Sequence, residues 1–378
     1  MFEESTEFST AVPIALFDPE ASFSDNNLVD HDTSMISVFG KFDMDITEKL
    51  TLSTGLRWID EEKEGNAQYQ FAVGLDSINV NNADAFLFNN LVNFRDPGSY
   101  INAAFSESWG LWGGEFGLEY TTDNGSLVYG RVARGQKAGQ FTDAPDAIAN
   151  GGFFTPADEE TVLSFEAGIK SDFMDRKLVT NLAIFMNEYD DQQQQVTLPG
   201  PVSTVVNVAS SKTQGIEFDM QYAPGNGWQA DFALGLLDTE VEEDSLSERT
   251  GGTMSIRPGR ELTNSPDVTA SFKLRKEVEL DNGSLLSAVV GLDYTGERNF
   301  DLLETAADPV YVTDPSYTLV NLAANYRFGP DNKYNVSLYG KNLTNETFYT
   351  LMQEFDIGNS ILFMGNPRTY GLSLGIDF

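Results

Sequence analysis

Short and long connections alternate along this chain, and that alternation limits the folds open to it more than any other feature. About thirteen segments carry apolar side chains at every second residue, the period of a β-strand with two unlike faces. They lie near 34–46, 50–61, 106–120, 126–138, 160–173, 177–195, 205–222, 227–242, 266–279, 284–298, 316–328, 333–342 and 368–378. At the C-terminus Tyr370, Leu372, Leu374, Ile376 and Phe378 alternate with Thr369, Gly371, Ser373, Gly375 and Asp377. Every second join is a tight polar turn: Thr47-Glu48-Lys49, Asp123-Asn124-Gly125, Met174-Asp175-Arg176, Pro224-Gly225-Asn226, Asp281-Asn282-Gly283 and Gly329-Pro330-Asp331-Asn332. Gly and Asn tolerate the positive φ that such hairpins need. Between the turns lie long stretches near 62–105, 139–159, 196–204, 243–265, 299–315 and 343–367.

A meander with tight turns at one rim and large loops at the other is the plan of a bacterial outer-membrane β-barrel, with the turns in the periplasm and the loops outside the cell. A soluble sandwich or propeller places strands every 8–12 residues with short loops on both sides. Here 378 residues are shared among about thirteen strands, or about 29 each, which disfavours that plan. Trp58, Tyr120, Tyr294, Tyr326, Phe328, Tyr370 and Phe378 stand near the ends of apolar faces, as an interfacial aromatic girdle requires. No apolar run approaches the roughly 18 residues of a membrane helix. Met1–Ser5 lacks the basic and apolar regions of a signal peptide.

Composition narrows the function. Lys plus Arg is 23 and Asp plus Glu is 58, for a formal net charge of −35. That speaks against nucleic acid or anionic lipid headgroups as partners of the chain as a whole, because both select basic surfaces. Cysteine is absent and His31 is the lone histidine, so thiol chemistry, iron–sulfur clusters and multi-histidine metal sites are excluded. No acid/base pair, Gly-x-Ser-x-Gly, phosphate loop or metal-ligand spacing is present, so neither an enzyme, a cofactor nor a metal site is expected. Asp60-Glu61-Glu62 is expected as solvated charge, while the acidic stretch Asp238–Glu248 suits either divalent-cation bridging to lipopolysaccharide or an acidic surface favoured by a saline habitat.

The last strand follows a long loop, so it runs inward and ends in the periplasm. Counting back, residues 1–33 precede another inward strand and belong outside. Bacterial barrels have even strand numbers, so an odd count points to the C-terminal part of a longer barrel.

Several segments resemble the TonB-dependent receptors of Gram-negative outer membranes. SVFGKFDMDITEKLTLSTGLR (residues 37–57) is similar to that family's strand, turn and strand ending in Gly-Leu-Arg. YGRVARGQKAGQF (129–141) resembles its Arg-Gly-x-Lys-x-Gly segment. Ser164–Tyr189 resembles its Glu-x-Gly-x-Lys strand and the Asn-x-x-x-Phe strand after it. Tyr339–Asn345 resembles the Asn-Leu-Thr-Asp box with Asn345 in place of Asp, and Pro367-Arg368-Thr369-Tyr370 opens a similar terminal strand. The resemblance implies an all-β, antiparallel transmembrane β-barrel of about 22 strands with an N-terminal plug. Residues 1–378 would be the C-terminal portion of that barrel domain, with 1–33 an extracellular loop remnant and 34–378 barrel strands and loops. It implies TonB-dependent import of a scarce bulky solute, most often a ferric siderophore. The partners implied are outer-membrane lipid and lipopolysaccharide, the plug, the TonB system and the barrel-assembly machinery. A passive porin of about 14–16 strands is the alternative.

Candidate residues follow from position. Arg57, Glu166, Lys170, Asn181, Asn321, Asn325 and Arg327 are expected on the lumen face, mostly paired with one another or with the plug. Arg134, Gln136, Lys137 and Phe141, and Arg298 with Phe300, stand at the loop-side rim, where basic groups beside aromatics suit an anionic aromatic ferric chelate. Gln192–Gln195 form a polar run at another rim. Tyr370, Leu372, Leu374, Ile376 and Phe378 form the expected assembly signal.

Overall fold

In the computed structural model, residues 2–13, 22–74, 101–143, 154–198, 202–243, 254–255, 258–300, 304–305, 313–355 and 359–377 are described. They form one antiparallel sheet of fourteen strands in chain order. The strands are β1 (Phe2–Pro13), β2 (Ser22–Asp45), β3 (Leu50–Gly74), β4 (Ile101–Thr121), β5 (Leu127–Lys137), β6 (Glu160–Phe173) and β7 (Leu178–Leu198). Then come β8 (Val202–Tyr222), β9 (Trp228–Val241), β10 (Val268–Glu279), β11 (Leu285–Thr295), β12 (Tyr317–Phe328), β13 (Tyr334–Lys341) and β14 (Thr369–Ile376). Thirteen of these coincide with the expected segments. The additional strand β1 lies within residues 1–33 and pairs only with Ser22–Thr33 of β2, on the long-loop side. One row of its sequence mixes Phe2, Phe8 and Val12 with Glu4, Thr6 and Thr10, so hydrophobic periodicity gives it no clear apolar face.

All six tight turns join neighbouring strands at one rim. Gly125, Gly225, Gly283 and Gly329 have φ between 77° and 86°, a region that a Cβ disfavours. Met174, Asp175 and Arg176 all take left-handed φ between 57° and 64°, and Arg176 pairs with Asp172 across that turn at 3.5 Å. The last turn contains the short 3₁₀ segment Pro330–Asn332.

Register sorts the side chains onto two faces. On the outer face, Leu50, Leu52, Thr54, Leu56 and Trp58 of β3 stand beside Tyr120, Leu118, Phe116, Gly114 and Trp112 of β4. Beyond Trp58 the same row continues as Asp60, Glu62 and Glu64. The apolar stretch Leu50–Trp58 thus matches the roughly 9–11 residues with which a tilted strand crosses a bilayer core. The same switch recurs at Glu188 on β7 and Asp238 on β9. Strands of 21 to 25 residues (β3, β4, β7 and β8) therefore continue well past the band on the long-loop side.

The inner face is polar, and a cavity of about 560 Å³ runs along it from β8 to β13, lined by Asp219, Asp231, Lys273, Asp293, Asn321 and Lys341. Buried residues among those described are few: the apolar ones lie at the long-loop end, while Ser126, Ser171 and Ser284 are buried beside the tight turns, which is how a sheet whose apolar face meets a nonaqueous solvent must look.

The order ends at β1 on one side and β14 on the other. Ser34–Asp45 of β2 pairs only with β3, and β14 only with β13. On β14, Tyr370, Leu372, Leu374 and Ile376 share the outer face and are 53–73% exposed. Phe378 lies outside the described residues.

Candidate functional site

The residues best placed to act on a solute lie on the inner face where the strands rise above the apolar band. β5 stops at Lys137 because the chain then turns inward. Ala138 and Gly139 lie against Trp109, and a small ribbon follows, Gln140–Asp143 paired with Phe154–Ala157. Gly139 is required by contact: a Cβ there would sit 2.2 Å from the Ala157 carbonyl oxygen and 2.5 Å from the Trp109 ring. Trp109 is 5% exposed and belongs to an apolar cluster with Leu111 and Ala138, against which Ile59 and Phe141 pack. Phe141 lies 4.5 Å from the Phe105 ring and 6.0 Å from Trp109. Lys63 covers the other side. Its ammonium is 5.4 Å from the Trp109 ring centre, donates to the Gly139 carbonyl at 2.7 Å and pairs with Glu61 at 3.1 Å.

The far side of the ribbon is held by amides. Gln193 Nε2 donates to the carbonyls of Ala138 (2.9 Å) and Asp158 (2.8 Å), and the Gln193 backbone N–H donates to Glu160 at 2.8 Å. Its cross-strand partner Asn207 accepts from the Asp158 N–H at 2.7 Å and donates to the carbonyls of Asp158 and Asp191. The ribbon thus spans the inner face from β3 to β8, anchored by Lys63, Trp109, Gln193 and Asn207. Gln193, from the polar run expected at this rim, is a buried strut.

Lower on the inner face the polar side chains bond to one another. Tyr129 donates to Glu166 at 2.6 Å, and Lys170 lies over the Tyr129 ring at 5.4 Å. Asn181 donates to Asp219 at 2.9 Å, Asn321 to Asp293 at 3.1 Å, and Asn325 to Asn335 and Ser337. Arg57 reaches Ser37 at 3.5 Å, and Arg327 stands opposite Leu285 and Asn335. By register all seven sequence-derived lumen positions share this face.

The six rim residues divide. Lys137 is exposed on the inner face, opposite Glu160, and Phe141 sits in the aromatic cluster. Gln136 lays its amide over Gly113, and its Oε1 is buried without a donor among the described residues. Arg134 differs from the sequence expectation. Its register places it on the outer face, between Gly114 and Leu163, where its guanidinium stacks 4.2 Å above Trp112 and donates to the Trp112 carbonyl.

Arg298 stacks over Phe300 at 4.9 Å, pairs with the buried Asp314 at 3.2 Å and donates to the Tyr349 carbonyl at 2.5 Å, so this cation ties three loop segments together. The Asn-Leu-Thr box is similarly committed. Asn342, 4% exposed with φ 48°, bonds the Glu346 amide and the Glu346 and Asn366 carbonyls, and its own N–H donates to Asn321. Sequence reading passed over Trp109, Lys63, Asn207 and Asp314; parity along β3 and β4 marks the first two, while the others need the loop fold.

Comparison with known proteins agrees with this architecture. Residues 3–343 match the family model "TonB dependent receptor-like, beta-barrel". The chain is 25% identical over 320 residues to the probable TonB-dependent siderophore receptor PiuA of Acinetobacter baumannii, covering 83% of this chain and 37% of that protein. It is 27% identical over 226 residues to the metal-pseudopaline receptor CntO of Pseudomonas aeruginosa, covering 58% of this chain and 28% of that protein. The chain therefore spans well under half the length of these curated relatives. Among solved structures, the ferric yersiniabactin uptake receptor FyuA from Yersinia pestis superposes with a TM-score of 0.71 at 16% identity, over 95% of this chain and 47% of that one. Proteins of this family are transport receptors of Gram-negative outer membranes, and by sequence match and by fold this chain belongs to the TonB-dependent receptors, within their β-barrel domain.

Proposed function

We propose that this chain supplies barrel wall and external loops to an outer-membrane importer that takes up a ferric siderophore, driven by the TonB system. The observation that carries the solute class is the inner-face patch above the apolar band, where Lys63, paired with Glu61, lies over Trp109, Phe141 packs between Trp109 and Phe105, and the exposed Lys137 stands on the same face. Cations beside aromatic faces suit an anionic chelate with aromatic iron-binding groups. PiuA is named a siderophore receptor, which supports the same class. In this reading residues 1–33 lie outside the cell, the lower polar lattice meets a plug, TonB acts through that plug, and the alternating face of β14 is read by the barrel-assembly machinery. Gating and energy come from parts of the protein outside this chain.

The test is uptake of ⁵⁵Fe-labelled siderophores by iron-starved cells with and without the gene. Uptake that needs the gene and stops when the proton-motive force is collapsed supports the proposal. A full-length protein that conducts ions steadily in planar bilayers, with uptake unchanged on deletion, establishes the passive porin instead.

A further inference from the structure

We propose that Arg134 and Trp112 form a docking site on the outer face for a phosphate of the outer-leaflet glycolipid, the lipid A moiety of lipopolysaccharide. This rests on the reading of the outer face as lipid-facing. Arg134 is the last residue of β5 paired to β4, above Val128, Gly130 and Val132 in the outer row and level with Gly114 on β4 and Leu56 on β3. Its height is the upper border of the apolar band, since the outer row of β3 becomes Asp60, Glu62 and Glu64 just above Trp58.

The guanidinium is fixed there. It stacks on Trp112, whose register partner on β3 is Trp58, and one nitrogen bonds the Trp112 carbonyl. Its charge has no carboxylate partner among the described residues, and its two register neighbours, Gly114 and Leu163, carry no charge. Lys212 shows the contrast. It stands on the same face at the same level, and its register neighbours are Glu188 and Glu240, so the protein itself complements that cation. Gly114 places no side chain beside the guanidinium, and none fits: a Cβ there would sit 2.7 Å from the Gly55 carbonyl oxygen and 3.4 Å from Leu56.

An anion that reaches this guanidinium from the membrane must carry hydrocarbon. The apolar surface below it, Phe116 at 52% exposed and Val132 at 40%, suits an acyl chain. Guanidinium nitrogens match phosphate oxygens in geometry as well as charge, and an indole at the interface is at home beside a headgroup. Arg134 thus reads lipid, although its neighbour in sequence by three residues, Lys137, stands on the inner face.

The experiment uses the full-length protein purified free of lipopolysaccharide, with lipid A binding read by native mass spectrometry. Diphosphoryl lipid A should bind wild type, and Arg134→Gln should weaken it about tenfold, the equivalent of losing one charge-assisted contact. Dephosphorylated lipid A should bind both forms weakly and equally, and Lys212→Gln should leave binding as in wild type. Equal binding by wild type and Arg134→Gln overturns the proposal, as does displacement of lipid A by an equal concentration of inorganic phosphate. Quenching by brominated acyl chains, read as the difference between wild type and Trp112→Phe, separates the two layers of inference. Absent quenching defeats the lipid-facing reading itself; quenching without an Arg134 effect defeats only the phosphate site.

Discussion

Trp109 and Trp112 are three residues apart on one strand and live in different solvents. Each carries a cation over its ring: Lys63 at 5.4 Å for Trp109, Arg134 at 4.2 Å for Trp112. Trp109 is 5% exposed beneath an inward-turning ribbon, whereas Trp112 is 54% exposed on the apolar band. An odd spacing on a strand sends two like residues to opposite faces. The role of each follows from its face and its height, and residue type alone says little. Burial makes the first a packing anchor of the loop-side end, and the membrane border makes the second an interfacial anchor.

The comparison can be broken by experiment. The largest effect is expected for Trp109→Ala, which removes a buried ring and should cost about 3–5 kcal/mol. Equilibrium unfolding of the full-length protein from lipid vesicles measures it. Trp112→Ala, which leaves no internal cavity, should cost clearly less, and an equal or larger loss there would erase the distinction between the two sites.

Next comes a pair of adjacent alanines. Ala324 faces outward and Ala323 inward. Ala324→Arg should destabilise by about 2–4 kcal/mol at band depth, while Ala323→Arg enters the polar side and should be near neutral in the same assay. Similar costs for both would mean that the two faces do not meet different media.

A smaller effect is expected for Gln193→Leu. Two carbonyls lose their donor, which should cost about 1–3 kcal/mol. The specific readout is faster proteolytic nicking between residues 139 and 157 in the folded protein. Gln194→Leu, one residue on and on the other face, should change neither.

The smallest is Lys63→Met, which removes a cation–π contact of about 0.5–2 kcal/mol. If the inner patch receives the solute, siderophore affinity should fall several-fold while the unfolding midpoint moves little. A stability loss with unchanged affinity would make Lys63 a structural clamp only.

Much of the fold was legible because a strand that separates lipid from a polar interior must alternate. Leu286, Ala288, Val290, Leu292 and Tyr294 on β11 announce an outer face before any neighbour is known. Four of the tight turns were legible because a positive φ falls on glycine, as at Gly125 and Gly283, whereas Met174–Arg176 take the left-handed region without Gly or Asn. β1 was not legible, since a strand paired on the loop side needs no apolar face. Arg134 was misplaced for a different reason. In Arg134-Gly135-Gln136-Lys137, closeness in sequence suggests one cluster, but strand parity puts Arg134 and Lys137 on opposite faces. Gln193 read only as part of a polar run at the rim because nothing local shows that the loop after Lys137 folds back onto it.

The amino-acid sequence by itself determined the alternation of faces, the position of the tight turns, the height of the apolar band and the acidic character of the chain beyond it. These are set within a few residues of each position, by side-chain period, backbone dihedral preference and charge. Only the tertiary structure decided which polar groups are spent on the fold. Asp314 is consumed by Arg298, Asn342 by the Glu346 and Asn366 backbone, and Gln193 by the ribbon, while Lys137 remains exposed. Those assignments depend on contacts between residues up to 55 positions apart, and pairing at that distance is fixed by register and loop packing, which no local pattern encodes.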